Sequence, residues 1–159
     1  MTRNGGGWHQ LVEAALSKLP KSARILCVGA GTGAEILYLA NRFSGWHFTA
    51  VEPSGRMLEI FQQKAEEQGI LPRCSLHEGF LETLPPVESF DAATAFLVSQ
   101  FIREREHRIA FFRKIATRLQ AKGLLVCSDL AGDLSAVDCP VALDIWSRVL
   151  NGSGSSSDE

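Results

Sequence analysis

The sequence predicts an α/β fold: a doubly wound, mainly parallel sheet of about five strands with helices on both faces. Three observations carry that expectation. Short apolar, β-branched runs alternate with stretches of helical periodicity along most of the chain. A glycine-rich turn, Gly29–Ala34 (GAGTGA), joins the first apolar run to a helical stretch, and an acid, Glu52, closes the second run. In sheets of this kind a ligand lies beyond the carboxyl ends of the strands, so the turn and the acid fall on the same edge.

Each element has its own local signal. Trp8, Leu11, Val12, Ala15, Leu16 and Leu19 recur at the spacing of one helix face, which predicts a lead-in helix closed off by Pro20. Ala23–Gly29 is an apolar strand feeding the turn, after which Ile36, Leu37, Ala40 and Phe43 mark the inward face of a helix. His47–Glu52 reads as a second strand, followed by a helix with Met57, Leu58, Phe61 and Ala65 on one face and Gly69 as its stop. Arg73–Gly79 is a weaker strand, whereas Phe90–Leu97 is a stronger one, bounded upstream by Pro85 and Pro86. The next helix is expected to turn Ile109, Phe112, Ala116 and Leu119 inward before a fifth strand at Gly123–Leu130. Pro140 opens a last helix with Ala142, Ile145, Trp146, Val149 and Leu150 inward, and residues 151–159 (NGSGSSSDE) have the composition of a flexible tail. The expected organisation is one domain over 1–150 and a tail over 151–159.

Composition narrows the function classes. With 45% apolar and 21% charged residues and a formal net charge of −2, the chain has the balance of a soluble globular domain, and nothing global points to nucleic acid. There is no signal-peptide pattern and no apolar stretch approaching the ~20 residues that span a bilayer, so no membrane association and a cytoplasmic location are expected. Cys27, Cys74, Cys127 and Cys139 lack Cys-x-x-Cys or Cys/His metal spacing and read as small buried apolar residues; no metal is expected. Arg103, Arg105, His107, Arg108, Arg113, Lys114 and Arg118 read as a solvated helix face more readily than a nucleic-acid stripe.

The turn by itself leaves two cofactors open. Glycines at 29, 31 and 33, with Ala34 completing the Gly-x-Gly-x-x-Gly/Ala spacing, suit either the phosphate cradle of NAD or the floor of an S-adenosylmethionine site. An acid in the position of Glu52 holds a ribose in both.

The residues after the acid separate them. Glu52–Leu58 (EPSGRML) resembles the acid-x-Ser-x-x-Met-Leu segment of class I S-adenosylmethionine-dependent methyltransferases, and HEGFLETLP, FDAATAFLVSQFI and LQAKGLLVCSDL resemble that class's later motifs. The likeness extends over about Trp8 to Leu150, and within the class it is similar to the group acting on a wobble-uridine oxyacetic acid of tRNA. The resemblance implies a Rossmann-like fold, S-adenosylmethionine as cofactor and a small-molecule or nucleoside methyl acceptor. It implies cofactor contacts from Gly29, Ala30, Gly31, Glu52, Pro53, Met57, Gly79, Phe80, Leu81 and Phe96.

This sequence also departs from the class. Val28 and Phe80 stand where many members carry acids, and AKG replaces a common Pro-Gly-Gly before the fifth strand. The two C-terminal strands of the class's antiparallel hairpin are absent, so self-association through the incomplete sheet edge is expected. No catalytic residue is assigned: His9, Ser99, Gln100 and Asp129 lie near the strand ends, and of these His9 and Asp129 suit a general base. Trp8 and His9 suit a lid over the methionine end, with helix anchoring and surface exposure as the plainer roles. A cofactor-holding domain without turnover is the alternative from another class, and an NAD-dependent oxidoreductase a further one.

Overall fold

The computed structural model describes residues 7–86 and 89–130. Its elements run α1 (Gly7–Leu16), β1 (Arg24–Val28), α2 (Ala34–Arg42), β2 (His47–Glu52), α3 (Gly55–Glu67), β3 (Cys74–Glu78), β4 (Phe90–Phe96), α4 (Arg105–Arg118) and β5 (Leu119–Ser128). Short 3-10 turns at Leu71–Arg73, Leu81–Thr83 and Ser99–Phe101 lie between them. The five strands form one sheet in the order β3-β2-β1-β4-β5, every pair parallel. The chain starts in the middle and winds outward in both directions, so the order reverses between β1 and β4, where Val28 pairs with Ala95. A compact unit ends at Asp129; Leu130–Glu159 separates as a second unit, of which only Leu130 is described.

Alternate residues of each strand feed two cores, because side chains leave a strand on opposite faces. On one face Ile25, Cys27, Phe48 and Ala50 pack against Val12 and Leu16 of α1, Ile36 and Leu39 of α2, and Phe61 and Ala65 of α3. On the other, Leu26, Val28, Val51 and Phe90 meet Ile115 of α4, with Phe111 and Phe112 packed around it. Arg73 ties the lower edge, donating from its guanidinium to the carbonyls of Ala40, Phe43 and Trp46 at 3.0 to 3.2 Å.

Four expectations need correction in detail. The lead-in helix stops at Leu16, before Pro20, and buries only Val12 and Leu16, leaving Trp8, Leu11 and Ala15 exposed. In α4 the inward stripe centres on Ile115, with Phe111, Phe112 and Leu119 packed around it; Ala116, one residue and about 100° further round the helix, faces out. The fifth strand begins at Leu119, paired with Phe90, and resumes at Leu124 after an irregularity at which Lys122 adopts a left-handed φ of 68°. Cys27 is buried, but Cys127 on β5 is exposed, so it does not serve as a core residue. The helix expected after Pro140 and the tail at 151–159 lie outside the described residues.

Candidate functional site

At the carboxyl end of β1 the chain turns sharply through Gly29, Gly31 and Gly33, whose φ values are 69°, 55° and 75°. L-residues with a Cβ rarely occupy that region. At Gly33 the need is also spatial, because a Cβ there would run into the buried Phe61 ring. The turn consumes its own amides: Gly29 and Ala30 donate to the Val51 carbonyl at 2.8 and 3.1 Å, and Gly33 donates to the Ala30 carbonyl at 2.9 Å. Gly31 donates to Glu52 Oε2 at 2.9 Å. These bonds fix the shape of the turn and aim the Glu52 carboxylate, while the first amides of α2 remain the open donors of a helix N-terminus.

Glu52 is buried at the end of β2, and its other oxygen, Oε1, accepts from the Ser54 amide at 2.9 Å. A carboxylate has about four acceptor positions, so the two backbone bonds orient it and leave capacity for a diol. Ser54 caps α3 by accepting from the Met57 amide at 3.4 Å. The cap sets Met57 at the helix entrance, exposed, with its sulfur 4.0 Å from where a Cβ on Gly31 would sit. The structure thus brings Gly31, Glu52 and Met57 together.

Beside them opens a cavity of about 500 Å³ on the α4 side of the sheet. Gly29, Pro53, Gly79, Phe80 and Leu81 line it, five of the ten residues that the resemblance nominates. Val98, Phe101 and Ile102, in the segment after β4, form the far wall with Phe111 and Lys114 of α4. The resemblance of FDAATAFLVSQFI covers Val98, Phe101 and Ile102 without singling them out as contacts, because irregular backbone carries no periodicity. Leu97, which leads into it, has a left-handed φ of 58°, unusual for a bulky residue. Lys114 bridges to Glu82 at 2.6 Å across the rim. Ala30 and Phe96 are not in the cavity; both belong to the core on the opposite face.

Two groups near the strand ends have functions the sequence left open. Asp129 accepts from Ser99 Oγ at 2.5 Å and from the Gln100 amide at 3.1 Å. Those bonds make it a clamp between the end of β5 and the segment after β4, with both oxygens engaged. Beneath the glycine turn, Glu35 of α2 is buried and accepts from Thr94 Oγ1 at 2.6 Å, with the Cys27 thiol beside it. Burial pushes its carboxyl up to about 7, against the opposite pull of the Thr94 and Cys27 hydrogen bonds. Its one sequence signal is an acid on the apolar phase of a helix, four residues before Leu39.

With this geometry in view, comparison with known proteins gives the family. The methyltransferase-domain family matches residues 25–123, from β1 into β5. A provisionally named methyltransferase of Geobacillus sp. (strain WCH70) is 33% identical over 123 residues, covering 75% of this chain and 48% of its own length. Among solved structures, CalS10 of Micromonospora echinaspora, an amino pentose methyltransferase with S-adenosylmethionine bound, is 27% identical with a TM-score of 0.66, over 84% of this chain and 56% of that one. The 4+2 cyclase SpnF is 25% identical with a TM-score of 0.63, over 76% of this chain and 44% of that one. The chain belongs to the methyltransferase-domain family. It spans about half the length of the curated relative it matches.

Proposed function

We propose that this chain binds S-adenosylmethionine and transfers its methyl group to a small-molecule or nucleoside acceptor. The observation that carries the reading is the double tie of Glu52 to Gly31 and Ser54 beside an apolar cavity. The methyltransferase-domain match and the likeness to CalS10 with S-adenosylmethionine bound favour that ligand over NAD. Glu52 accepts hydrogen bonds from the ribose hydroxyls, Met57 and Pro53 pack on the nucleoside, and Gly79, Phe80 and Leu81 flank the adenine, with an aromatic face in place of an acid. Gly29 lines the cavity, and Ala30 and Phe96 support the glycine turn from the opposite face. The bound cofactor supplies an activated methyl on a cationic sulfur; the protein's task is to place the acceptor in line with it.

Incubation with methyl-labelled S-adenosylmethionine and a panel of hydroxyl, amine and nucleoside acceptors tests the reading. Label appearing in one acceptor supports it. Tight cofactor binding with no transfer across the panel favours the second reading, a cofactor-holding domain without turnover. A tRNA acceptor has less support, because Arg108, Lys114 and Arg118 of the basic run bond to Ile102, Glu82, Leu84 and Pro85 within the chain.

The same reading takes 1–150 as the cofactor-binding domain and 151–159 as a tail. A cytoplasmic setting agrees with the unpaired thiols of Cys27, Cys74 and Cys127. Among the described residues no helix is long and apolar enough to cross a membrane. Leu124 and Leu125 are exposed on β5, an edge strand among the described residues, and support self-association there. Light scattering at rising concentration tests it: a mass that stays monomeric refutes self-association.

A further inference from the structure

We propose that His9 binds the carboxylate at the amino-acid end of the S-adenosyl cofactor, making α1 a direct reader of that end of the ligand. The proposal rests on the cofactor reading above. Its first support is an unsatisfied group: Nδ1 and Nε2 of His9 are both enclosed and have no hydrogen-bond partner. Enclosed polar atoms without partners are costly and uncommon in folded proteins, which points to a partner that arrives with a ligand.

Its second support is placement. The imidazole is stacked between Trp8, 3.8 Å away between ring centroids, and Tyr38, 4.7 Å away. Trp8 in turn meets Phe96 edge-on at 5.2 Å. Val28 pairs with Ala95, so Phe96 stands level with Gly29, and Tyr38 lies on the second turn of the helix that follows the glycine turn. His9 is therefore held over the ends of β1 and β4, on the face opposite the cavity. A nucleoside seated in that cavity and crossing Gly29 carries its amino-acid tail to this side.

The surroundings favour a carboxylate. Of the charged groups on the two helices, Glu13 of α1 and Arg42 of α2 are joined at 3.0 Å, and the Tyr38 hydroxyl donates to Glu13 at 2.6 Å. Glu35, one turn before Tyr38, is bonded to Thr94, and β4 presents the uncharged Phe96. Burial holds the His9 imidazole below its ordinary value of 6.5, so the free ring is neutral at pH 7 and has one N–H to donate. A carboxylate accepting that N–H raises the ring's pKa, whereas an ammonium lowers it further.

The test uses the full 159-residue chain and two probes: S-adenosylhomocysteine, and 5′-methylthioadenosine, which shares the nucleoside thioether but lacks the amino-acid end. Calorimetry on the unsubstituted chain, His9→Phe and His9→Gln is paired with NMR titration of the His9 ring. We expect His9→Phe, which keeps an aromatic in the stack, to weaken S-adenosylhomocysteine about tenfold and leave 5′-methylthioadenosine unchanged, with His9→Gln recovering part of the loss. The His9 pKa should rise with the first probe alone. Equal weakening of both probes, no weakening of either, or an unmoved or lowered His9 pKa overturns the proposal while the cofactor reading stands. Failure of both probes to bind the unsubstituted chain defeats the cofactor reading itself, and the proposal with it.

Discussion

Replacing Glu35 with glutamine should stabilise the protein at alkaline pH and leave it little changed in acid. Glu35 titrates near 7 in the folded chain against an ordinary value of 4.5. A raised carboxyl pKa means that the folded state prefers the protonated form. Stability is then fully present below about 4.5, falls as pH rises towards 7, and is flat above that. Ionising the group in place costs about 3 kcal/mol in total, of which about 2.5 kcal/mol falls between pH 5 and 8. A glutamine at this position never ionises, and its carbonyl oxygen can still accept from Thr94 Oγ1. Its extra N–H₂ has no strong acceptor beside it, an offset of about 1 kcal/mol that is the same at every pH.

The informative quantity is therefore the change with pH in the stability difference between the two proteins. His9, whose pKa burial lowers, destabilises both alike as pH falls through its range and cancels from that difference. Urea denaturation at pH 5 and pH 8 measures it. The difference should shift by about 2.5 kcal/mol in favour of Glu35→Gln on going to pH 8. Parallel pH profiles would refute the reasoning, since they would mean that Glu35 ionises without penalty.

Other substitutions probe separate parts of the account. Gly33→Ala forces a Cβ into the Phe61 ring at a left-handed φ and should cost about 2–4 kcal/mol in thermal or urea unfolding. Unchanged stability would mean that the turn is not the tight one described. Glu52→Ala should weaken S-adenosylhomocysteine on the order of 100-fold in calorimetry with the circular dichroism spectrum preserved; a loss under about threefold would deny Glu52 the ribose. Lys122→Gly should relieve the left-handed strain ahead of Gly123 and stabilise by roughly 0.5–1 kcal/mol, whereas destabilisation would place the strain elsewhere.

What the sequence made legible is local. Strands β1, β2 and β4, the glycine turn and the acid after β2 announce themselves through runs of apolar residues and a fixed spacing, and all five strands lie near where those runs place them. Phase is harder. Ile109, Phe111, Phe112 and Ile115 spread apolar side chains around α4, so the sequence alone does not say which stripe meets the sheet, and the core takes Ile115. Trp8 and Leu11 look like core residues by spacing, yet α1 buries only Val12 and Leu16, and Trp8 rests half-exposed against Phe96 at a strand end.

The site divides in the same way. Gly29, Pro53, Gly79, Phe80 and Leu81 follow strands and can be found by counting from them, whereas Val98, Phe101 and Ile102 reach the cavity from irregular backbone. Glu35 and Asp129 owe their roles to partners 59 and 30 residues away in sequence, contacts that only the folded chain brings about.

The central claim is that the glycine turn serves a phosphate-free S-adenosyl ligand. Parallel calorimetric titrations with S-adenosylmethionine, S-adenosylhomocysteine and NADH test it most directly. Binding of the two sulfur ligands at micromolar concentration, with no heat from NADH, is the expected result. Preferential binding of NADH would contradict the account, because the turn and Glu52 would then serve the pyrophosphate and ribose of a dinucleotide.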